Sequence, residues 1–168
     1  LLDGLATCID ERGYRETTVA DIVRCARTSK RTFYDHFSTK EECFVELLAA
    51  NNEELVGALR AAIDPAEEWP TQVRQAVGAY IDSIEAKPAV TLSWIRELPA
   101  LGERAQPMLR RGFGHLAALV IELTTGSGFA RAGIAPLSHT AAVILVGGLR
   151  ELTAQTVEDG LPASTMLE

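Results

Sequence analysis

Eight consecutive residues, Ser29–His36, carry side chains that suit contact with a polyanion. Seven of the eight are basic, hydroxyl-bearing or aromatic, and Asp35 is the exception. Lys and Arg can donate to guanine O6 and N7, Thr can meet a base edge or a thymine methyl group, and Tyr can bond a phosphate. The segment therefore predicts nucleic-acid contact, with base edges read through Lys30, Arg31 and Thr32.

Positive charge is concentrated around this segment although the whole chain is acidic. The formal net charge at pH 7 is −7. Residues 12–40 hold seven Lys or Arg and three Asp or Glu, a balance of +4, so the rest of the chain, with nine and twenty, carries −11. A nucleic acid responds to charge within about a Debye length, roughly 10 Å at 0.1 M salt, so the local excess favours binding.

Helix-capping signals place the segment on the second of two short helices. Thr18 and Asp21 have capping-box spacing and predict a helix that ends near residue 26, and Ser29 is a suitable N-cap for the next helix. Phe33 and Phe37 lie one turn apart on one face, which predicts the side that packs inward. Two short helices joined by a three-residue turn form a helix-turn-helix pattern.

A further helix is predicted to begin directly after the helix-turn-helix segment. Ser38–Glu41 has the sequence of a second capping box and predicts a long helix to about residue 63. Because helix N-termini carry unpaired N–H groups and partial positive charge, we expect Thr18 and Lys40 to hold phosphates on either side. His36 is predicted to contact DNA; the alternative is a structural role, in which its ring packs over the end of the helix. The predicted DNA-binding residues are Thr18, Arg27, Ser29, Lys30, Arg31, Thr32, Tyr34, His36 and Lys40.

The segment from about residue 4 to residue 48 resembles the DNA-binding domain of the tetracycline-repressor (TetR) family. The run TTVADIVRCARTSKRTFYDHFSTKEE, residues 17–42, is similar to that family's second helix, turn, recognition helix and start of helix four. The run FYDHF at 33–37, followed by KE at 40–41, is the most specific part. The resemblance implies an all-α fold in which a three-helix DNA-binding domain is joined to a larger helical domain for ligand binding and dimerisation.

Two positions depart from the family's pattern. Arg27 stands in the turn, where the family usually has a small residue, commonly Gly. A positive φ there would cost Arg on the order of 1 kcal/mol; a different turn or an added phosphate contact are the alternatives. Asp35 stands where family members often carry an aromatic or basic residue. An acid facing DNA either repels phosphate or accepts from a cytosine amino group.

The rest of the chain predicts further helices and no strand, because no stretch sustains period-two alternation. The predicted domains are residues 1–46, the helix-turn-helix domain, and residues 47–168, the ligand-binding and dimerisation domain. Helices are expected to start at Pro65 and Pro88 and to span about 104–125 and 137–159, with a loop at 126–136.

The last predicted helix has an unusual composition. Residues 141–149 are apolar on every side, which predicts cover on both faces, one from the same domain and one from a second copy of the chain. Gly147 and Gly148 cost about 1 kcal/mol each relative to Ala in a helix. Their presence predicts a close approach of two backbones at this point.

A ligand pocket is implied by the TetR resemblance among the helices around residues 65–125, apolar with a few polar groups. The residues predicted to line it are Tyr80, Trp94, Phe113 and His115. Ordinary core packing is the alternative for each of them.

Other classes of function find little support in the sequence. No G-x-S-x-G, H-E-x-x-H or phosphate-loop motif is present, so we predict no enzyme, no cofactor and no metal site. The longest apolar run, residues 140–149, is about half of a bilayer-spanning helix, so no membrane partner and a cytoplasmic location are expected. The three cysteines are odd in number and lack metal-ligand spacing, which is typical of reduced thiols in a core.

Together these features predict a homodimeric transcriptional regulator, a repressor, that binds a near-palindromic double-stranded DNA operator and is released by a largely apolar small molecule. Two alternatives stay open. One is a helical ligand-binding or adaptor protein whose DNA-reading face has decayed, which Arg27 and Asp35 would suit. The other is a thiol sensor acting through Cys25 or Cys43.

Overall fold

The computed structural model describes residues 1–167, without the side chains of residues 104 and 167; residue 168, the last of the predicted second domain, lies outside them. Within this range the chain forms nine α-helices, two 3-10 segments and no strand, which confirms the all-α prediction. The helices are α1 Leu2–Glu16, α2 Val19–Cys25, α3 Lys30–His36, α4 Lys40–Ala62, α5 Trp69–Ala86, α6 Pro88–Arg96, α7 Gln106–Thr125, α8 Ser127–Arg131 and α9 His139–Glu158. The 3-10 segments span Leu98–Arg104 and Ala163–Leu167.

The first helices form a small bundle in which α1 packs against α2 and against the start of α4, and α2 packs against α3. Helix α1 is interrupted at Gly13. That residue has φ 79° and ψ 162°, outside the helical region, but one more helical turn follows to Glu16. Gly tolerates this left-handed φ because it has no Cβ. The break lets the chain change direction before α2.

The core of this bundle continues into the rest of the molecule. Leu5, Phe33 and Phe44 are fully buried and belong to one cluster with Val90 of α6 and Leu98 of the first 3-10 segment. Helix α6 packs against α1. The predicted boundary at residue 46 therefore falls inside α4 and within a shared core, and it stays a prediction as a division between domains.

The larger part of the chain is a bundle of longer helices. Helix α4 packs against α5 and α7, and α9 packs against α6 and α7. The predicted loop at 126–136 contains the short helix α8, which the sequence analysis missed. A Cβ added at Gly128 of α8 would lie 2.6 Å from Gln72 Nε2 and 2.6 Å from the Glu67 carbonyl oxygen. Glycine is therefore needed there for close packing, although its sequence context is typical of a loop.

One face of α9 is uncovered in the single chain. Ala142 and Val146 are buried against neighbouring helices, whereas Ile144 is 69% exposed and Leu152 is 43% exposed. The close backbone approach predicted at Gly147 and Gly148 is wrong within the chain. A Cβ at Gly148 would meet nothing within 4 Å, and one at Gly147 would meet only a Phe113 ring carbon at 3.7 Å. Across residues 1–167, no helix is both long enough and apolar enough to cross a membrane.

Candidate nucleic-acid interface and ligand cavity

The N-terminus of α2 is closed by the predicted capping box. The backbone N–H of Asp21 donates to Thr18 Oγ1 at 3.3 Å, and Asp21 Oδ2 accepts from the Thr18 backbone N–H at 3.1 Å and from its hydroxyl at 2.6 Å. These hydrogen bonds lower the pKa of Asp21, with Arg12 adding to the effect. Thr18 is exposed, so the start of α2 is open to an approaching phosphate.

The turn between α2 and α3 holds Arg27 in a left-handed conformation with φ 49°. The Arg27 N–H donates to the Arg24 carbonyl at 3.2 Å, and the Thr28 N–H donates to the Val23 carbonyl at 2.9 Å. This pair of bonds is the Schellman arrangement that ends a helix, in which Gly is the usual residue. The positive φ considered in the sequence analysis is therefore present, and the Arg27 side chain extends from it into solvent.

Helix α3 is held by one face and exposed on the other. Phe33 is fully buried, its ring 5.4 Å from that of Tyr34 and 5.8 Å from that of Phe37. Ser29 caps the helix by accepting from the Thr32 backbone N–H at 3.1 Å. Tyr34 is 59% exposed. The predicted contact residues on this side are exposed, apart from the half-buried Thr32: Ser29, Lys30, Arg31, Tyr34 and His36.

The positive charges on this face are not neutralised within the described part of the chain. Arg12 and Arg24, on the flanking helices, are engaged with Glu11 and Asp21. None of the ion pairs among residues 1–167 involves Arg27, Lys30 or Arg31. The face therefore presents three cations next to the N-terminus of α3. Asp35 is also exposed there and places one negative charge among them.

Lys40 occupies a different position from the one expected. Its Nζ donates to the carbonyl oxygens of Tyr14 at 3.1 Å and Thr17 at 2.8 Å, and it lies 4.3 Å from the centre of the Tyr14 ring. Lys40 therefore closes the C-terminal end of α1, where a cation is favoured by the helix dipole. Its predicted phosphate contact would have to be made by an ammonium group already bound to backbone carbonyls.

The N-cap at the start of α4 lies one residue later than predicted. Thr39 is the N-cap, and its hydroxyl accepts from the Glu42 backbone N–H at 3.1 Å. The Glu42 carboxylate in turn accepts from the Ser38 backbone N–H at 2.7 Å. The prediction of Ser38 and Glu41 is therefore wrong by one residue. The sequence STKEE contains two Ser/Thr residues and two Glu residues, so spacing alone could not distinguish the two registers.

Two of the three cysteines meet in the small bundle. The Sγ atoms of Cys8 in α1 and Cys25 in α2 are 3.0 Å apart. Burial, followed by the contact with Cys25, raises the pKa of Cys8 to about 12, and burial raises the pKa of Cys43 to about 11. Cys43 is fully buried, so an oxidant has no direct access to its thiol. A thiol sensor at Cys43 is therefore disfavoured, and Cys25 stays a hypothesis.

A cavity of about 720 Å³ lies among helices α4, α5, α6, α7 and α9. Three of the four predicted lining residues, Tyr80, Trp94 and Phe113, face it, and most of the other lining side chains are also apolar. The prediction for His115 is wrong: it is exposed and outside the lining, because Phe113 and Leu116 occupy the face of α7 that points to the cavity. Ligand binding by the other three stays a prediction.

A few polar groups enter this cavity. The Tyr80 hydroxyl lies 2.8 Å from Thr153 Oγ1, and burial raises the pKa of Tyr80. Arg150 lines the cavity and donates from Nη2 to the Ile95 carbonyl at 2.7 Å. Arg150 was not among the residues predicted to line the cavity. The signal was available, because Arg150 follows the buried Ala142 and Val146 at spacings of eight and four and so lies on the same face of α9.

The N-terminal part of the chain is similar to known proteins. Residues 1–47 match the family described as bacterial regulatory proteins, tetR family. The chain is 33% identical to the HTH-type transcriptional activator FasR of Mycolicibacterium smegmatis over 75 residues, which are 45% of this chain and 34% of FasR. It is 33% identical to the HTH-type transcriptional repressor KstR2 of Rhodococcus jostii over 86 residues, 51% of this chain and 42% of KstR2. These matches span less than half of either relative.

The fold extends further than the sequence similarity. The transcriptional regulator FadR of Bacillus subtilis, solved in complex with stearoyl-CoA, superposes with a TM-score of 0.79 and 16% identity. The superposition covers 95% of this chain and 86% of that one. At this identity the likeness shows the fold, and it confirms a helix-turn-helix domain joined to a larger helical domain. The resemblance inferred from residues 17–42 is likewise confirmed.

Proposed function

We propose that this chain, in which residues 1–47 are the DNA-binding domain of a tetR-family transcriptional regulator, binds a near-palindromic DNA operator as a homodimer and is released by a small molecule. The observation that carries the proposal is the exposed face of α3. Lys30 and Arg31 project from its first turn without an acidic partner in the described chain, while Phe33 holds the opposite face in the core. An exposed cationic helix of this kind fits a major groove.

The uncovered face of α9 supports the homodimer. Ile144 and Leu152, eight residues apart, lie on one side of this helix, and both are more than two-fifths exposed. A second copy of the chain would cover them through a two-fold contact of α9 with its equivalent. We propose that this contact sets the two α3 helices on successive turns of the DNA major groove, as a near-palindromic operator requires.

We propose repression as the outcome of binding. A repressor needs only to occupy its operator and exclude other proteins, whereas an activator also needs a surface for a partner of the transcription machinery. The two relatives described above carry the names of an activator and a repressor. Repression is the simpler assignment for the described residues, and it is tested by transcription in the presence of the protein.

Helix α6 is the proposed link between ligand and DNA. It contributes Trp94 and Ile95 to the cavity and packs against α1 through Val90 in the shared core. At its C-terminal end Glu97 accepts from Arg15 of α1 at 2.8 Å. A ligand that binds one position of α6 better than another would shift the population of α1 positions and so the spacing of the α3 helices.

A largely apolar effector is supported by the lining of the cavity. Its volume of about 720 Å³ falls in the range of small-molecule sites. FadR of Bacillus subtilis, which has a similar fold, was solved with stearoyl-CoA, a molecule with a long apolar chain. We propose that this chain also takes a molecule with an extended apolar part.

The proposal is tested by selecting bound sequences from a randomised DNA pool and measuring the affinity of single variants. Lys30→Ala and Arg31→Ala should each change preference at one base position, by about 1–3 kcal/mol. Tyr34→Phe and Lys40→Ala should weaken binding on all sequences, Lys40→Ala through loss of its bonds to α1. Unchanged affinity and selectivity in all four variants would contradict the proposed interface.

A second candidate function is a ligand-binding or adaptor protein that no longer reads DNA. Exposed Asp35 and the strained Arg27 are the observations in its favour. Binding to random DNA at two salt concentrations separates the two candidates. A dimer that grips phosphates should lose affinity steeply as salt rises, and an adaptor should bind weakly at both concentrations.

A further inference from the structure

Arg150 is the unusual residue of the cavity. It lies on the face of α9 that carries the buried residues Ala142 and Val146. Its Nη2 donates to the Ile95 carbonyl at the end of α6, but its Nε is buried and has no hydrogen-bond partner. Among the described residues only one other buried side-chain polar atom, Tyr14 Oη, shares that condition. A buried donor without an acceptor is costly, so its presence calls for an explanation.

The charges around Arg150 do not neutralise it. No ion pair among residues 1–167 includes it. The neighbouring cation Arg96 is held by Glu151 and Glu158. Burial and then the positive charge of Arg96 lower the pKa of Arg150, and Glu151 offsets this only in part. The guanidinium therefore lies in surroundings that lack an acid directed at it.

The other charged groups of the cavity wall are differently placed. Lys87 is paired with Glu54, and both are partly exposed. Asp82 is exposed. The hydroxyl groups of Tyr80 and Thr153 bond each other. Arg150 is thus the cation of the lining that has no acidic partner within the described chain, and it stands among apolar side chains.

We propose that Arg150 binds the acidic head group of the effector, a carboxylate or a phosphate ester, while the apolar walls hold the rest of the molecule. The inference rests on the proposed function, in which the cavity takes an effector. The effector class is then an amphipathic acid. An oxygen of the head group would accept from Nε, and a second would accept from the guanidinium in the side-by-side geometry that Arg favours with such anions.

Arg150 is also positioned to report binding to neighbouring helices. It lines a second cavity, of about 510 Å³, which shares Trp94 and Phe113 with the first. Through Nη2 it is bonded to Ile95 of α6. An acid that draws the guanidinium toward itself would change this bond, so the head group acts on the same helix that packs against α1.

The test is direct titration of the purified full chain, without DNA, by isothermal calorimetry. The probes are octanoate, decanoate and dodecanoate, each compared with the alcohol of equal length, together with decyl phosphate. We expect at least one acid to bind about tenfold or more tightly than its alcohol. Arg150→Met should remove this preference and leave the affinity for the alcohol within about twofold. Arg111→Met, an exposed arginine of α7 outside both linings, should change neither.

The outcomes separate the head groups and the two proposals. Preference for decanoate alone assigns a carboxylate, and preference for decyl phosphate alone assigns a phosphate ester. The inference is overturned if no acid binds more tightly than its alcohol, or if Arg150→Met keeps the preference while unfolding as cooperatively as the parent. Because no DNA is present, an acid preference that depends on Arg150 stands even if the operator proposal fails.

Discussion

Arg27 has a strained backbone and places a positive charge next to the proposed DNA-binding face. Its φ of 49° lies in the left-handed region, where a residue with a Cβ is strained by on the order of 1 kcal/mol or more. Its side chain is exposed beside α3 and has no acidic partner in the described chain. The residue therefore reduces the stability of the turn and adds a positive charge next to the proposed DNA-binding face.

Replacing Arg27 with Gly should separate these two effects. Arg27→Gly is expected to raise the free energy of unfolding by about 1 kcal/mol, because Gly adopts the positive φ freely. It should also weaken DNA binding and reduce the slope of log K against log salt by about 1, since one phosphate contact is lost. Urea unfolding and binding at several salt concentrations measure the two effects.

Arg27→Lys is the matched control for Arg27→Gly. It keeps both the charge and the strained backbone, so stability should stay unchanged and the salt slope should be preserved. If Arg27→Gly binds DNA as tightly as the parent at low salt, the side chain does not contact phosphate. The turn would then carry a strain without a function in binding.

At the scale of elements, the position of Trp94 of α6 against α7 depends on the absence of one side chain. A Cβ added at Gly112 would lie 2.3 and 2.4 Å from two ring carbons of Trp94, which is a severe overlap. Trp94 lines the cavity, so the ring could move only at the expense of that space or of the neighbouring packing. Gly112 therefore positions an aromatic wall of the proposed ligand site.

Gly112→Ala should destabilise the protein by about 1–3 kcal/mol, the usual cost of overpacking, and should weaken binding of the probe acids. Gly114→Ala is a close control on the same helix, because its Cβ would meet nothing within 4 Å. That variant should be as stable as the parent or more stable by up to about 1 kcal/mol, since Ala is the better helix former. Denaturant unfolding measures the free energy of unfolding of both variants. Equal changes in this free energy, in the same direction, would contradict the role of Gly112.

Elements with a local cause were predictable from the sequence, and elements that depend on distant contacts were not. The caps at Thr18 and Ser29 follow from side chains three residues from the backbone N–H groups that they bind. Helix α8 was missed because the need for Gly128 arises from Gln72 and Glu67, far away in the chain. At the start of α4, Ser38 and Thr39 each have a Glu three residues later, so spacing could not show which of them is the N-cap.

The residues of the candidate sites also fall into those that could be predicted from the local sequence and those that depend on tertiary packing. The exposed face of α3 could be predicted because it follows from the position of Phe33 on a short helix with a known start. In the cavity, aromatic residues were found by type, but His115 was wrong because the rotation of α7 about its axis is set by tertiary packing. The face on which Arg150 lies could have been inferred from its spacing to Val146, but its bond to the Ile95 carbonyl, 55 positions away, could not.

At the scale of the whole molecule, the exposed apolar face of α9 makes the assembly testable. Ile144→Glu would place a carboxylate at the centre of the proposed contact between two copies. Burying an unpaired carboxylate costs several kcal/mol, so dimerisation should weaken on the order of a hundredfold or more. Sedimentation velocity measures the assembly, and binding to a two-half-site operator should weaken in parallel.

Ile134→Glu provides the comparison for Ile144→Glu. Ile134 is also exposed, at 36%, but it lies in the segment before α9. Its substitution should leave the sedimentation of the protein unchanged. A parent chain that sediments as a monomer at micromolar concentration, or a dimer that survives Ile144→Glu, would exclude this face as the interface.

The core shared by the two parts of the molecule limits how the protein could be rebuilt for other uses. Val90 and Leu98 complete the packing around Leu5, Phe33 and Phe44. A chimera that joined this ligand-binding part to the DNA-reading part of another regulator would leave these side chains facing a surface that did not fit them. The graft should therefore keep α1 and α6 from the same parent and retain Phe33, with only the exposed residues of α2, α3 and their turn exchanged.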